Sequence, residues 1–497
     1  MNRNRQNTNE VKKWMKIHSP DNIQWVRPSD WLALPAVNVG DEKFVGLYAV
    51  YDTVGSNVVA VQCQGAYDVD WGDGNSSLNV TSNAVAEHAY NYSDLASGTL
   101  CSRGYRQAII TITPHTGSHL TKIQIDNRHS TMSNAYTAPW LDIKLASSYL
   151  TTHSIYVANN VFMRMLESYE FVGTNGISSF VNFFAGCFAL QKVLIYTNSG
   201  TTFSYMFNSC YSLKQCPVMN TSAANDFSGM FYKCFNLVDV PLLDTHQAIT
   251  FSNMFYQCQT IREIPNFNSV AVLNWQGIFY QCQALEEVPL FNTSAGTNFS
   301  SMFNGCFALR SIPLFDTANG LTFAGMFYNC YSLMTIPLLN TAKGTNFSSM
   351  FYGCSALQTI PLIDTHLGTN MASMFIYCPN LSYIPLLNMA ANTDFSNMFN
   401  SCLALIVLPL LVVAAGTTFA SMFASCLSIQ KGSLSGITRS ISFLNNKMSH
   451  DMLVDLFNNL GTASGAQTLT ITGNPGVATL TAPEQAIATG KGWTLAL

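Results

Sequence analysis

Residues 298–321 read NFSSMFNGCFALRSIPLFDTANGL, and variants of this stretch recur along the chain. The cysteine is its ruler: Cys187 and Cys210 are 23 residues apart, and from Cys210 to Cys426 a cysteine returns every 24 residues. A fixed period between roughly 20 and 50 residues marks a solenoid, whose units bury their apolar faces only by stacking on one another. The position of Asn298 is always Asn, Asp or Thr from Thr202 to Thr418, a good helix N-cap. Phe299, Met302, Phe303 and Cys306 follow at i, i+3, i+4 and i+7, which predicts a short helix with these four facing inward. The spacing Leu309, Ile312, Leu314, Thr317 then predicts a short strand in a parallel ladder.

The Met-Phe-x-x-Cys-x-x-Leu unit resembles the BspA-like leucine-rich repeats of microbial surface proteins, over Phe183 to Ile429. The resemblance implies a binding surface and no particular activity. The fold class expected is β-rich α/β: a right-handed leucine-rich-repeat solenoid of about eleven 24-residue coils, preceded by a β-sandwich. On the apolar face the cysteines read as small, reduced core residues, not as metal ligands or disulfides. Of the fourteen cysteines, Cys63, Cys101 and Cys216 lie off the ruler. A pair between Cys63 and Cys101 is conceivable across a sandwich, though nothing requires it.

The composition narrows the function classes. Charged residues make up 10% of the 497 residues and the net charge is −4 with 23 Lys+Arg, which leaves no basic field for nucleic acid. No apolar run reaches the ~18 residues of a membrane span. Phosphate loops, zinc spacings and nucleophile elbows are missing. The nine histidines are scattered. The reading is therefore of a protein that is not an enzyme, with no catalytic residues, no cofactor and no metal.

Five segments are expected. Residues 118–180 read as atypical first coils, 181–430 as the solenoid and 431–497 as closing coils. In the last of these, Ser449 caps a helix carrying Leu453, Leu456 and Phe457, Gln467 to Thr472 forms a strand, and Thr481 to Glu484 has capping-box spacing. Residues 45–117 carry Tyr67-Asp-Val-Asp-Trp-Gly-Asp-Gly74, His88-Ala-Tyr90 and an alternating strand from Arg106 to Thr113. This order is similar to the PKD (polycystic-kidney-disease) type of immunoglobulin-like sandwich, with Asp70-Trp71 in place of the family's usual Asp-Phe. Asp73 is expected to bond turn amides, because it and Asp70 supply too few oxygens for calcium. Residues 1–44 interleave Lys and Arg with Trp14, Trp25 and Trp31 and read as a docking arm whose tryptophans anchor in another protein.

A second partner surface is expected on the strand. If Ile312 and Leu314 point inward, alternation sends Phe315 outward with its equivalents Leu243, Phe267, Phe291, Leu339, Ile363 and Leu387. Such an apolar column predicts contact with copies of the chain or with neighbouring proteins. Surface-type modules on a chain with no signal-peptide core in its first 25 residues suggest a phage virion surface protein, of tail-fibre or capsid-decoration type. The arm, PKD-like module and repeats together also resemble phage-encoded proteins. The alternative is a cellular surface adhesin or extracellular filament subunit. Partners expected are other virion or surface proteins, a homo-oligomeric copy, and a host receptor or glycan.

Overall fold

Where the sequence alternates apolar and polar residues it forms sheets, and where it repeats every 24 residues it forms coils. The computed structural model describes residues 25–53, 57–155, 161–432 and 434–497. Trp14 and the first part of the arm lie outside the described residues. The chain divides into two units, one of residues up to 224 with 230–244, the other of 225–229 with 245–497.

The first unit holds β1 (Lys43–Val50), β2 (Val58–Gln64), β3 (Tyr67–Asp70), β4 (Ser76–Val80), β5 (Val85–Ala89) and β6 (Arg106–Pro114). Further along come β7 (Lys122–Gln124), β8 (Tyr136–Thr137), β9 (Trp140–Ala146), β10 (Thr152–Ser154), β11 (Val161–Phe162), β12 (Ser168–Phe171) and β13 (Lys192–Leu194). One sheet has the order β13-β12-β9-β1-β6-β3-β4, the other β10-β7-β2-β5. Antiparallel pairing of β1 with β6 and of β2 with β5 gives way to parallel pairing of β9 with β12 and of β7 with β10. The antiparallel strands thus continue into the first coils, and residue 117 is no break in either sheet. Tyr48 and Tyr67 tie the sheets together by donating to the Val58 and Val61 carbonyls, 2.7 and 3.0 Å away. Gly46 is required in β1, since a Cβ there would lie 2.3 Å from the Trp140 ring.

The Gly-Asp-Gly turn behaves as its sequence predicts. Gly72 and Gly74 take φ of 80° and 91°, a region that favours glycine. Asp73 accepts from the Asn75 amide at 3.0 Å and meets His88 Nε2 at 2.7 Å. His88 stacks on the buried Trp71, and Tyr90 donates to the Trp71 carbonyl at 2.7 Å.

In the second unit the expected short helix is replaced by a chain of tight turns. Met302, Asn304 and Cys306 donate to carbonyls three residues back, whereas Phe299, Ser301, Phe303 and Gly305 donate to Thr322, Ala324, Met326 and Tyr328 of the next coil. An α-helix would bond Phe303 and Gly305 within itself, to carbonyls four residues back. The alternation is set by Ser301 and Gly305, at φ 54° and 74°, and each neighbouring coil repeats such a pair, for example Asn253 with Gln257 and Ser349 with Gly353. The predicted cap is real in altered form, because Asn298 Oδ1 accepts from the Ser300 amide at 3.0 Å as an Asx-turn.

Parallel pairing survives at the predicted strand in only some coils, as at Tyr383, Val407 and Lys431 and at Leu411 with Leu434, and the continuous ladder lies elsewhere. It runs through the Asn298 position, as bridges from Thr250 through Asn274, Asn298, Thr322, Asn346, Asn370 and Asp394 to Thr418. In contrast, Ile312 to Phe315 form no strand. Buried Thr317 donates from Oγ1 to the Asn340 carbonyl at 2.7 Å, and Thr245, Thr293, Thr341 and Thr365 do the same one coil on. Among the described residues the only α-helices are His450–Asn459 and Ala482–Thr489, in the closing coils. Ser449 caps the first at 3.2 Å and the Thr481–Glu484 capping box starts the second.

Candidate interaction surface

The apolar column predicted to face outward is core. Leu243, Phe267, Phe291, Phe315, Leu339, Ile363 and Leu387 are all between 1 and 3% exposed. In three of these coils the cause is a local turn. The Phe267, Phe291 and Ile363 amides each donate to the proline carbonyl two residues back, at 2.9 to 3.0 Å. A three-residue γ-turn puts its middle residue at the apex and turns both flanks the same way. Around the Pro289–Phe291 turn, Leu290 sits exposed at the apex, while Phe291 and the preceding Val288 are buried. Strand alternation fails because proline donates nothing to a ladder.

The surface column lies one residue earlier. Leu290, Leu314, Leu338, Leu362, Leu386 and Leu410 occupy this position on six consecutive coils of the second unit, each 51 to 61% exposed. Asn266 ends the run on one side. In the first unit Val218 and Leu242 are exposed at the same position. The sequence held one clue: in Pro265-Asn266-Phe267 the middle residue is polar and the last aromatic, the reverse of what strand alternation demands. A contiguous leucine ridge of several hundred Å² is at the limit of what monomers leave in water.

The described part of the arm packs on its own chain. Trp31 is 4% exposed, in a cluster with Leu47, Ala49, Tyr105 and Leu141, and its Nε1 donates to Tyr105 Oη at 3.1 Å. Half-buried Trp25 donates to Glu167 at 3.2 Å. Arg27 pairs with Asp142 at 2.8 Å. Trp31 is thus core, not an anchor for another protein. Trp14 is outside the described residues.

A family model described as "Mycoplasma protein of unknown function, DUF285" matches residues 155–263, 249–361 and 334–437, together more than half of the chain. The chain belongs to this family. No curated protein matches the chain. Among solved structures, a leucine-rich cell surface protein from Faecalibacterium prausnitzii A2-165 is 16% identical, with a TM-score of 0.40 over 65% of this chain and 84% of that one. TLR13 in its ssRNA13 complex is 14% identical, with a TM-score of 0.22 over 64% of this chain and 55% of that one. The plant peptide hormone receptor RGFR1, in complex with RGF2, is 11% identical, with a TM-score of 0.23 over 70% of this chain and 59% of that one. The chain spans little more than half the length of these two receptors, and likenesses at such scores carry no argument about function.

Within the DUF285 region the ruler cysteines are structural. Cys330 and Cys354 donate Sγ–H to the Phe303 and Phe327 carbonyls of the preceding coils, at 3.0 Å. Burial pushes the Cys378 thiol up to about 12 and raises the others on the ruler for which a shift is resolved. All fourteen cysteines are buried thiols, Cys63 and Cys101 included. Among the described residues no group of three His, Cys, Asp or Glu converges as a metal site, and no helix is long and apolar enough to cross a membrane. The DUF285 coils offer outward the leucine ridge, flanked on one side by exposed Asn292, Asp316, Asn340, Asp364 and Asn388.

Proposed function

We propose that this DUF285 protein is a non-enzymatic interaction protein displayed at a surface, of the adhesin or filament type, and that its leucine ridge binds the same ridge of a second copy. One observation carries the reading: six consecutive coils expose leucine at one position. A ridge with a fixed pitch is self-complementary when two copies meet about a two-fold axis, because each leucine fills the gap between two of the other copy. Its area forms the apolar centre of an interface whose polar rim completes the roughly 800 Å² per partner of a stable pair. The resemblance of the repeat to BspA-like surface proteins supports the location. A virion location is a finer claim that neither the fold nor the family favours. The glycine turn at Gly72 to Gly74 and the stacked Trp71–His88 pair support reading 45–117 as PKD-like, a module suited to carrying an outward solenoid.

Sedimentation of the full chain tests the reading. Replacing Leu314, Leu338 and Leu362 by Ser should convert a self-associating species to a monomer, while at a dilution where both chains are monomeric their melting temperatures agree. A wild-type chain that stays monomeric at high concentration contradicts it.

A further inference from the structure

A second feature of the coils lies apart from the ridge. At the position after the ruler cysteine, rings stack on rings. In the first unit Phe188, Tyr211 and Phe235 stack at 4.4 and 4.8 Å. In the second, Phe307 and Tyr331 stack at 4.8 Å with planes 20° apart. The next residue of that column is Ser355, followed by Pro379 and Leu403. Phe307 covers one face of Tyr331, while the next coil offers only a serine against the other, and Tyr331 remains 44% exposed.

A cleft of about 520 Å³ opens there. Tyr331, Ser355, Pro379 and Leu403 line it, with Tyr352 and Tyr377 opposite. Tyr352 is itself stacked on Tyr328 at 4.2 Å and meets Tyr377 edge-on at 5.6 Å, so the second wall is aromatic too. Tyr377 is 54% exposed and sits at φ 56°, where the equivalent residues are Asn329, Gly353 and Ser401. None of the lining residues carries a charge. The Ser355 hydroxyl is already committed to the Tyr331 carbonyl at 3.2 Å. Two coil steps of ~4.8 Å separate the Tyr331 and Pro379 rungs by ~9.6 Å, and a planar ring needs about 3.5 to 4 Å to each neighbour. One ring fits.

We propose that this cleft receives an aromatic side chain of a partner protein, which stacks on Tyr331 over Ser355 and continues the column. The open face of Tyr331, continuing the Phe307–Tyr331 stack beside Pro379 and Leu403 in an uncharged lining, suits a Phe, Tyr or Trp ring. An aromatic anchor in a walled pocket is also the kind of contact that concentrates binding energy in protein interfaces.

Saturation-transfer NMR on the full chain, with N-acetyl-tyrosinamide as probe, tests this. N-acetyl-leucinamide and methyl β-glucoside serve as comparators. The wild-type chain should saturate the tyrosinamide ring selectively. Ser355→Tyr, which supplies the rung from within, should weaken that binding about tenfold or more, while its melting temperature and self-association are unchanged. Tyr331→Leu should give the same loss, and it decides the matter if Ser355→Tyr does not fold. Equal saturation in wild type and both variants, preference for the glucoside, or no tyrosinamide signal would overturn the proposal. Because self-association is read separately, failure here leaves the ridge reading standing.

Discussion

Cys330 donates its thiol hydrogen to the carbonyl oxygen of Phe303, 3.0 Å away in the preceding coil. The same carbonyl also accepts the Cys306 amide. The column therefore needs a small apolar residue with one weak donor, which is what cysteine is. The native protein should resist maleimide at all fourteen cysteines and react fully once unfolded, because only thiolate attacks and burial suppresses it. Cys330→Ala should cost about 1 to 2 kcal/mol in denaturant melts. Rapid native labelling of the ruler cysteines contradicts this account.

The hydroxyl ladder should behave differently. Thr317→Val keeps the volume but leaves the Asn340 carbonyl without its donor, so a loss of about 0.5 to 1.5 kcal/mol is expected. Thr317→Ser should recover most of it. Equal stability of the Val variant, measured by urea unfolding, would show that the ladder is incidental.

Adjacent residues Leu314 and Phe315 give the sharpest contrast in stability. Phe315→Ala opens a cavity in the core and should cost about 3 to 5 kcal/mol. Leu314→Ser removes an exposed side chain and should stay within about 0.5 kcal/mol in the isolated chain. Similar losses for the two, by thermal denaturation, would contradict a buried Phe315 beside an exposed Leu314.

This pair also shows what the sequence makes legible. Period and composition reveal the solenoid, its closing coils and the buried cysteines, because burial repeats wherever Phe, Met and Cys repeat. They do not reveal backbone direction. An i, i+3, i+4, i+7 pattern fits a helix, yet residues such as Ser301 and Gly305 at positive φ produce the same inward set from successive turns. Likewise Val288-Pro-Leu-Phe291 reads as a strand until the Pro289 carbonyl closes a turn on Phe291, which exchanges the inner and outer positions. Trp31 misleads for another reason: tryptophan anchors a foreign surface or its own sheet equally well, and only Leu47, Tyr105 and Leu141 decide which.

His153 should give the first unit an acid-sensitive step. The ring is buried, its Nδ1–H donates to the Ile123 carbonyl at 2.8 Å, and burial pulls its pKa down to about 4. Above pH ~6.5 the ring is neutral in folded and unfolded chains alike and gives no pH dependence. As the pH falls from ~6.5 to 4 the unfolded chain takes up the proton first, so stability drops by up to about 3 kcal/mol and then levels off. Urea midpoints against pH should show this slope, and His153→Leu should remove it. An unchanged slope in the variant would place the sensitivity elsewhere.

The ridge contact can be caught covalently. Leu338→Cys puts a single accessible thiol on the ridge of a chain whose own thiols are buried, and Asn319→Cys puts one on an exposed loop. With a short bismaleimide, Leu338→Cys should yield a covalent dimer in high yield at concentrations where Asn319→Cys yields almost none. Equal cross-linking at the two positions, or none at Leu338→Cys, would contradict a ridge that joins copies of this chain.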